Sequence, residues 1–189
     1  MPVTAPLPRL ATSRLLLRPV EEADAAATSA LVTPDVAANL STWPSPMTTA
    51  QALAKIRESK RLVRRRKAID FAILNPADGR LMGWIGLAAI GARTARLGYW
   101  IGLEFRGHGY TREAARAAVP AGAQFVEATT VVALVLPNNL ASMGVLDALG
   151  FTEVGQEEFY FETARISRLC QRYIWSTREK GLPRRKLAD

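Results

Sequence analysis

The sequence predicts an α/β (α+β) fold in which helices flank a mixed, mostly antiparallel twisted sheet of about six to seven strands. The first observation is a run of three apolar segments, 68–74, 81–90 and 97–103, separated by short turn sequences, which is the pattern of an antiparallel meander. The second is a helical segment, 111–127, followed by an uninterrupted apolar segment, 131–136, which is the order of a parallel β-α-β unit. Together the two patterns predict a mixed sheet.

The N-terminal region should contribute one strand and two helices. The apolar run at 14–18 predicts a short buried strand, and the acidic residues within 21–24 favour the positive end of a following helix. Thr48 and Gln51 have the spacing of a capping box, so a second helix is expected to extend to about Arg64. A strand and two helices therefore precede the meander.

Residues that favour turns delimit the central elements. The segment 75–79, Asn-Pro-Ala-Asp-Gly, predicts a turn between the first two strands, and Gly91 interrupts the apolar pattern before the third. Within the helix that follows the meander, Pro120 removes one backbone donor and should introduce a kink.

The C-terminal region predicts one more helix and two closing strands. Asn138 and Asn139 can cap a helix that ends at Gly150, a residue suited to the left-handed conformation at a helix C-terminus. The segments 152–159 and 167–175 have the composition of strands.

Length and charge bound the organisation and the partners. A chain of 189 residues without a repeat or linker is expected to form one domain, 1–189, with a core at about 10–176 and a basic tail at 177–189. Its formal net charge of +8 should attract anions such as phosphates, acidic proteins or nucleic acid. Much of the excess lies at 60–67 and 184–186, runs that are also typical of a solvated helix end and an exposed tail.

The composition argues against several kinds of site. A single cysteine, Cys170, excludes an internal disulfide, and with a single histidine, His108, it leaves no clustered ligands for a transition metal. No segment approaches the roughly 20 apolar residues of a membrane span, and the N-terminus lacks the pattern of a secretory signal. We therefore expect a cytoplasmic protein without a metal site or a membrane segment.

The loop at 105–111, Phe-Arg-Gly-His-Gly-Tyr-Thr, places two glycines directly before a predicted helix. A Walker loop would need Lys-Ser or Lys-Thr after the second glycine, and a dinucleotide fingerprint would need a third glycine at Arg112, so both are excluded. A tight turn at a helix N-terminus remains, where unpaired N–H groups bind anions and Arg106 and Arg112 would add charge. A plain strand-to-helix turn is the alternative.

Further motifs accompany this loop in a defined order. They are TSRLLLRPV at 12–20, WPSPMT at 43–48, GWIGL at 83–87, LGYWIG at 97–102, RGHGYT at 106–111 and NNLASMGVLDALGF at 138–151. Together they cover almost the whole chain and resemble the GNAT acyl-CoA N-acyltransferase superfamily, most of all its RimJ/RimL-type branch. The resemblance implies the GNAT fold, in which two parallel strands splay apart at the cofactor site.

The resemblance also implies acetyl-CoA as the cofactor. In the family, the loop pattern of Arg or Gln, two residues, Gly, one residue and Gly or Ala holds the pyrophosphate of coenzyme A, and Thr111 replaces the last small residue here. The pantetheine arm would lie between the splayed strands, bonded to the backbone at about 101–103. The implied cofactor-binding residues are Ile101, Gly102, Leu103, Arg106, Gly107, His108, Gly109, Tyr110, Thr111, Arg112, Asn139 and Ser142.

The implied reaction is acetyl transfer from the thioester to a neutral amine, with a backbone N–H at 100–102 polarising the carbonyl. The tyrosine with which many family members protonate the leaving thiolate is replaced by Leu146, whereas Asn139 and Ser142 have the Asn-x-x-Ser spacing of RimJ/RimL-type sequences. Ser142 is therefore the candidate catalytic acid. Helix capping by Asn139 and packing of a small hydroxyl at Ser142 are the alternative.

No general base is evident. The strand glutamate of many relatives would fall at Ala95 or Arg96. Glu104 and Glu113 are acids near the loop, but solvent exposure and a favourable position in the helix dipole also account for them. A water chain, or a substrate that arrives partly neutral, would also suffice.

The acceptor site of this fold lies between the early helices and the meander, which makes Trp43, Phe71, Trp84 and Tyr99 candidate walls, although aromatic residues are also typical of a core. The acceptor is expected to be a small-molecule amine or a protein N-terminal amino group. The alternative is a catalytically inactive CoA-fold binding module attached to RNA or a protein partner through its basic surface. The transferase is expected to require no nucleic acid. A homodimer is one possible assembly, which the sequence does not decide.

Overall fold

The computed structural model describes residues 7–177, which form an eight-stranded sheet in the order β1-β2-β3-β4-β5-β6-β8-β7. The strands are β1 (Leu10–Ala11), β2 (Leu16–Pro19), β3 (Ala68–Leu74), β4 (Leu81–Ala89), β5 (Thr94–Ile101), β6 (Thr130–Val135), β7 (Thr152–Phe161) and β8 (Ile166–Ser176). The α-helices are α1 (Ala25–Leu31), α2 (Pro34–Ala37), α3 (Thr49–Arg64), α4 (Tyr110–Phe125) and α5 (Leu140–Ala148), and 3₁₀ helices lie at Glu22–Asp24 and Leu103–Phe105. The basic run at 184–186, and all of 178–189, lie outside the described residues.

The predicted fold class is confirmed, with three differences in detail. β1 was not expected, because a two-residue strand is too short to show a period of its own. β5 begins at Thr94 and ends at Ile101, so Leu103 belongs to a 3₁₀ helix and not to the strand. α2 lies where the sequence predicts only a break after α1, because a four-residue helix is also too short to show a period. α4 includes Pro120 within one helix, and the kink at this residue stays a prediction.

The sheet separates two hydrophobic clusters, because side chains alternate between the faces of a strand. Ile69, Phe71 and Ile73 of β3 belong to the cluster that includes the buried face of α4. Ala72 and Leu74 of the same strand belong to the cluster that includes residues of α1 and α3. Two opposite faces are therefore available for two different binding functions.

β5 and β6 form a parallel pair that ends early. Thr94–Arg96 pairs with residues 130–132, and no pairing between the two strands continues beyond them. β6 instead pairs with β8 along its whole length, from Thr130 to Val135. Residues 97–101 of β5 consequently have no strand partner on the side of β6, and the predicted splaying is confirmed.

Both predicted helix caps are present. The Thr48 hydroxyl accepts a hydrogen bond from the Gln51 N–H at 3.2 Å, and the Gln51 side chain accepts from the Thr48 N–H at 2.8 Å. The Asn139 side chain accepts from the Ser142 N–H at 3.2 Å, and Gly150 after the same helix has φ of 79°. These local bonds fix where α3 and α5 begin, as their sequences predict.

Glu113 in the first turn of α4 fastens the segment before β2 to the helix. Its carboxylate accepts hydrogen bonds from the hydroxyls of Thr12 (2.6 Å) and Ser13 (2.9 Å) and from the backbone N–H (2.8 Å) and guanidinium (2.7 Å) of Arg14. Burial alone would raise the pKa of Glu113, but these four donors together lower it to about 2. The Glu113 side chain is only 14% exposed, whereas that of Arg14 is 49% exposed, so solvent reaches the donor side of this cluster.

Glu113→Gln should lower the free energy of unfolding by about 2 kcal/mol at neutral pH, because the amide cannot match a carboxylate that accepts four hydrogen bonds. The folded-state pKa lies below the ordinary value of 4.5. The stabilisation is therefore fully present above that value and is lost as the pH falls through about 2. Urea unfolding of both forms at pH 7 and pH 3 measures the difference, which should shrink at pH 3. Glu58→Gln, at an exposed pair with Arg61, is the control, and an equal loss at both pH values would contradict the assignment.

Candidate active site

The start of α4 forms an exposed turn with free backbone donors. Gly107 and Gly109 have φ of 79° and 77°, a left-handed conformation that glycine adopts without strain, and Gly109 is the N-cap residue. No side chain caps the helix, so the N–H groups of its first turn lack an intrahelical partner. The turn can therefore bind an anion, as the sequence predicts.

Basic side chains surround this turn. Among the described residues, neither Arg106 nor Arg112 forms an ion pair with an acidic side chain, and Arg106 reaches only the Asp35 carbonyl at 3.4 Å. His108 donates from Nδ1 to the Arg106 carbonyl at 2.7 Å and stacks on Tyr110, with ring centroids 5.5 Å apart. The positive charge of both arginines is thus available to a phosphate.

Sequence reasoning missed Arg14, which lies beside the same turn. Its guanidinium donates to the His108 carbonyl at 3.0 Å and lies 4.8 Å from the centroid of the Tyr110 ring. A groove of about 510 Å³ continues from there along α4. Its lining residues are Thr12, Ser13, Arg14, Gly109, Arg112, Glu113, Arg116 and Ala117. Nothing in the local sequence indicates this contact, because almost 100 residues separate Arg14 from the loop.

The gap between β5 and β6, beyond Arg96, is lined by backbone N–H groups of alternate β5 residues. The Gly102 N–H donates to the Met82 carbonyl at 2.9 Å, so it is not free to bond a cofactor, which corrects one predicted contact. In an antiparallel pair, the direction of the backbone groups alternates along the strand. The N–H groups of Tyr99 and Ile101 therefore point away from β4, toward the gap. Ile101 is accordingly the donor of the 101–103 segment that can reach a ligand there.

Two hydroxyl groups meet at the edge of this gap. The Tyr99 hydroxyl lies 2.6 Å from Ser142 Oγ and 3.3 Å from the Ser142 carbonyl oxygen. Burial raises the pKa of Tyr99 to about 12, with the Ser142 hydrogen bond opposing the shift, so the phenol stays protonated at neutral pH. Tyr99 was predicted to line the acceptor site, but alternation along β5 places it against α5. Leu146, at the position of the usual tyrosine, is fully buried.

The acids considered from the sequence are occupied elsewhere. The Glu113 carboxylate is saturated by four donors, and its lowered pKa makes it a poor proton acceptor. Glu104 forms an exposed ion pair with Arg80 at 2.6 Å. Ala95 is buried, and the Arg96 guanidinium lies over the ring of Phe159 at 4.7 Å. None of these positions supplies a free base.

Three tryptophans cluster on the opposite face of the sheet. The Trp43 ring lies 5.0 Å from Trp84 and 5.3 Å from Trp100, as measured between centroids. Trp84 is 4% exposed and donates to the Thr28 hydroxyl at 3.1 Å, while Phe71 is fully buried on the other face. Phe71 and Trp84 are therefore core residues rather than walls, because each is covered by its own cluster.

Trp43, one of the four predicted wall residues, borders a groove of about 390 Å³. The groove lies between the segment 34–45 and the β7–β8 hairpin, whose Thr163 donates from its N–H to the Ser41 carbonyl at 3.1 Å. Its lining residues are Pro34, Ala37, Ala38, Leu40, Trp43, Pro44, Ser45, Phe161, Thr163, Ala164 and Arg168. Its walls are mixed polar and apolar, with Arg168 as the cation among them.

Residues 7–177 contain no group of three or more His, Cys, Asp or Glu side chains arranged to hold a metal ion. Cys170 is buried at 1% exposure. Within the same part of the chain, no helix has the length and apolar character needed to cross a membrane.

Comparison with solved structures supports the fold. RimJ of Mycobacterium smegmatis, solved with CoA-disulfide, is 25% identical, with a TM-score of 0.74 over 89% of this chain and 84% of that one. RimL, a ribosomal L7/L12 alpha-N-protein acetyltransferase solved with coenzyme A, is 21% identical, with a TM-score of 0.75 over 87% of this chain and 95% of that one. Because RimL is only 21% identical to this chain, that likeness shows the fold alone.

Comparison at the sequence level identifies the family. The probable N-acetyltransferase YjcK of Bacillus subtilis (strain 168) is 33% identical over 104 residues, which are 53% of this chain and 58% of that protein. The match thus spans little more than half the length of that relative. The family model described as Acetyltransferase (GNAT) domain matches residues 14–152, well over half of the sequence. The chain therefore belongs to the GNAT acetyltransferase family.

Proposed function

We propose that this protein transfers an acetyl group from acetyl-CoA to a primary amine by direct attack within a ternary complex. One observation carries the proposal: the unpaired edge of β5 runs between the cationic start of α4 and the Tyr99–Ser142 hydroxyl pair. A diphosphate, a linear amide chain and a thioester would meet these three features in the order in which they occur in acetyl-CoA.

The cofactor would be held mainly by backbone groups. The pyrophosphate would bond to the first-turn N–H groups of α4, with Arg106 and Arg112 compensating its charge. The pantetheine amides would bond to the β5 edge at Tyr99 and Ile101. Asn139 uses its side-chain oxygen to cap α5, which leaves its amide nitrogen to donate to the arm.

The chemistry requires one proton donor at the leaving sulfur. The amine nitrogen forms a bond to the carbonyl carbon, the resulting oxyanion collapses, and the carbon–sulfur bond breaks to release a thiolate. A Tyr99 hydroxyl that donates to Ser142 Oγ leaves the Ser142 proton free to move to that sulfur. Because a thiol has a pKa of about 8.5, a modest donor suffices.

The acceptor would enter from the Trp43 side of the sheet, where the groove of about 390 Å³ opens. We infer an acceptor that is a small-molecule amine or a protein N-terminal amino group. RimL, named as an acetyltransferase of a ribosomal-protein N-terminus, supports the second class. A panel of free N-terminal peptides and small primary amines, followed by release of the CoA thiol, tests the function. Binding of CoA without acetylation of any amine would favour an inactive CoA-binding module instead.

Gly109→Glu should weaken CoA binding by about 100-fold, because the side chain places negative charge on the N–H groups that would hold the pyrophosphate. Gly79→Glu is the matched control, since Gly79 also has positive φ, at 71°, but lies in the turn before β4. Isothermal titration calorimetry with CoA measures both variants. Equal affinity of the Gly109 variant and the wild type would remove the turn from the site.

Ser142→Ala should lower kcat by about 10²-fold or more while the Kd for CoA changes less than about threefold, because the hydroxyl acts on the leaving sulfur and not on the bound ground state. Tyr99→Phe should lower kcat less, since Ser142 keeps its own proton. Ser167→Ala, at an exposed position on β8, is the control. Steady-state kinetics measure these effects, and an unaltered kcat for Ser142→Ala would leave the thiolate to be protonated by water.

A further inference from the structure

An acceptor ammonium must lose a proton before it attacks, and the residues described so far provide no base for it. Asp70 of β3 is an acid that the sequence analysis did not consider. Its neighbours Ile69 and Phe71 belong to the cluster under α4, so the Asp70 side chain projects to the opposite face, where Trp43 and Trp100 lie. This is the face from which the acceptor would arrive.

Two glycines lie in line with Asp70 across the sheet. Asp70 pairs with Gly86 of β4, and Gly86 pairs with Gly98 of β5, so the three residues form one row across the sheet. A Cβ at Gly86 would collide with Asp70 Oδ1 and lie 2.9 Å from its Cγ, so the carboxylate lies over Gly86 and points along the row. A side chain at Gly86 would exclude it from this position.

Gly98 is exposed although it lies on an interior strand. A Cβ there would have no atom within 4 Å, so the row ends in open space over β5. Adjacent strands are about 4.8 Å apart, which places an amine bound over Gly98 about one strand spacing from the carboxylate, a distance that one water can bridge. Gly98 directly precedes Tyr99, which contacts Ser142.

The charges that face Asp70 come mainly from α3. Burial raises the pKa of Asp70, while the Ser59 hydroxyl and the Lys55 ammonium oppose the shift. Burial lowers the pKa of Lys55, with Glu162 and Asp70 opposing. Arg96 of β5 shares this face, two residues from Gly98, but its guanidinium lies over Phe159.

Lys55 also connects this row to the acceptor groove. Its Nζ lies 4.8 Å from the centroid of the Trp43 ring, and Trp43 borders the groove. The ammonium forms no ion pair with Asp70 in the described part of the chain and acts on its carboxylate only through space. It also disfavours a second cation nearby, so an incoming ammonium would lose its proton more readily.

We propose that Asp70 is the catalytic base, and that the acceptor nitrogen binds over Gly98, beside the carboxylate that lies over Gly86. The inference rests on the proposed function. The ammonium N–H bond breaks, its proton passes to an Asp70 carboxylate oxygen directly or through one water, and the freed electron pair forms the bond to the thioester carbon. The proton later returns to solvent when the product leaves.

Asp70→Asn tests the proposal, because the amide has the same shape but accepts no proton. The acceptors to compare are a peptide carrying a free N-terminal alanine, ethylamine and hydrazine. For ethylamine near pH 7, the kcat of the variant should be about 10²-fold lower than that of the wild type. The loss should shrink as the pH rises, and it should be smallest for hydrazine, because hydrazine is a much weaker base than ethylamine and a larger fraction of it is neutral near pH 7. The Kd for CoA should not change. Asp78→Asn, in the exposed turn before β4, is the control.

Gly98→Ala provides a second variant, since the added methyl group meets no atom of the protein but occupies the row. It should raise the KM for the acceptor and leave the Kd for CoA unchanged. A loss for Asp70→Asn that is the same at every pH and for every amine would overturn the proposal, and so would activity within threefold of wild type.

A measurement without turnover separates this proposal from the proposed function. Ethylammonium added to the CoA-bound protein should shift the amide resonances of Gly86 and Gly98 in the wild type and in Asp78→Asn, but not in Asp70→Asn. If the resonances shift but no amine is acetylated, the proposed transferase function is wrong and the proposed ammonium site at Asp70 is retained. Absence of shifts in the wild type would overturn the Asp70 proposal even if amines are acetylated.

Discussion

The early end of pairing between β5 and β6 is the constraint on which the rest of the site depends. Pairing stops after Arg96, whereas the opposite edge of β6 stays bonded to β8 along its whole length. Backbone groups left without a partner cost roughly 1–3 kcal/mol each when they are buried, unless water or a ligand bonds them. The sheet thus retains a row of directed donors and acceptors that an extended amide-containing molecule can complete.

The same strand separates the two halves of the proposed reaction. The Tyr99 side chain projects toward α5, where it contacts Ser142. Gly98 and Trp100 lie on the opposite face of the strand, and the backbone edge between the two faces borders the gap. Because the side-chain period of a strand is two, a shift of register by one residue would exchange these faces. One short segment of β5 therefore positions the leaving-group donor, the thioester and the acceptor relative to each other.

Glycine serves a different purpose at each place where it matters. At Gly109 it permits a left-handed turn that exposes the first N–H groups of α4, which is a requirement of backbone conformation. At Gly86 the requirement is space, because a side chain would displace the Asp70 carboxylate. The first kind can be recognised in a sequence from its position before a helix, whereas the second depends on the residue across the strand pair.

The sequence by itself determined the order of the longer elements, both helix caps, the glycine turn before α4 and the family, because periodicity, capping residues and loop glycines act over a few residues. Only the tertiary structure decided which distant groups meet: Arg14 with the loop, Tyr99 with Ser142, and Asp70 with two glycines of other strands. Of the predicted wall residues, Phe71 and Trp84 lie in the core, whereas Trp43 borders a groove. Such contacts follow from strand register and helix placement, which the cooperative packing of the whole sheet sets and no local pattern encodes.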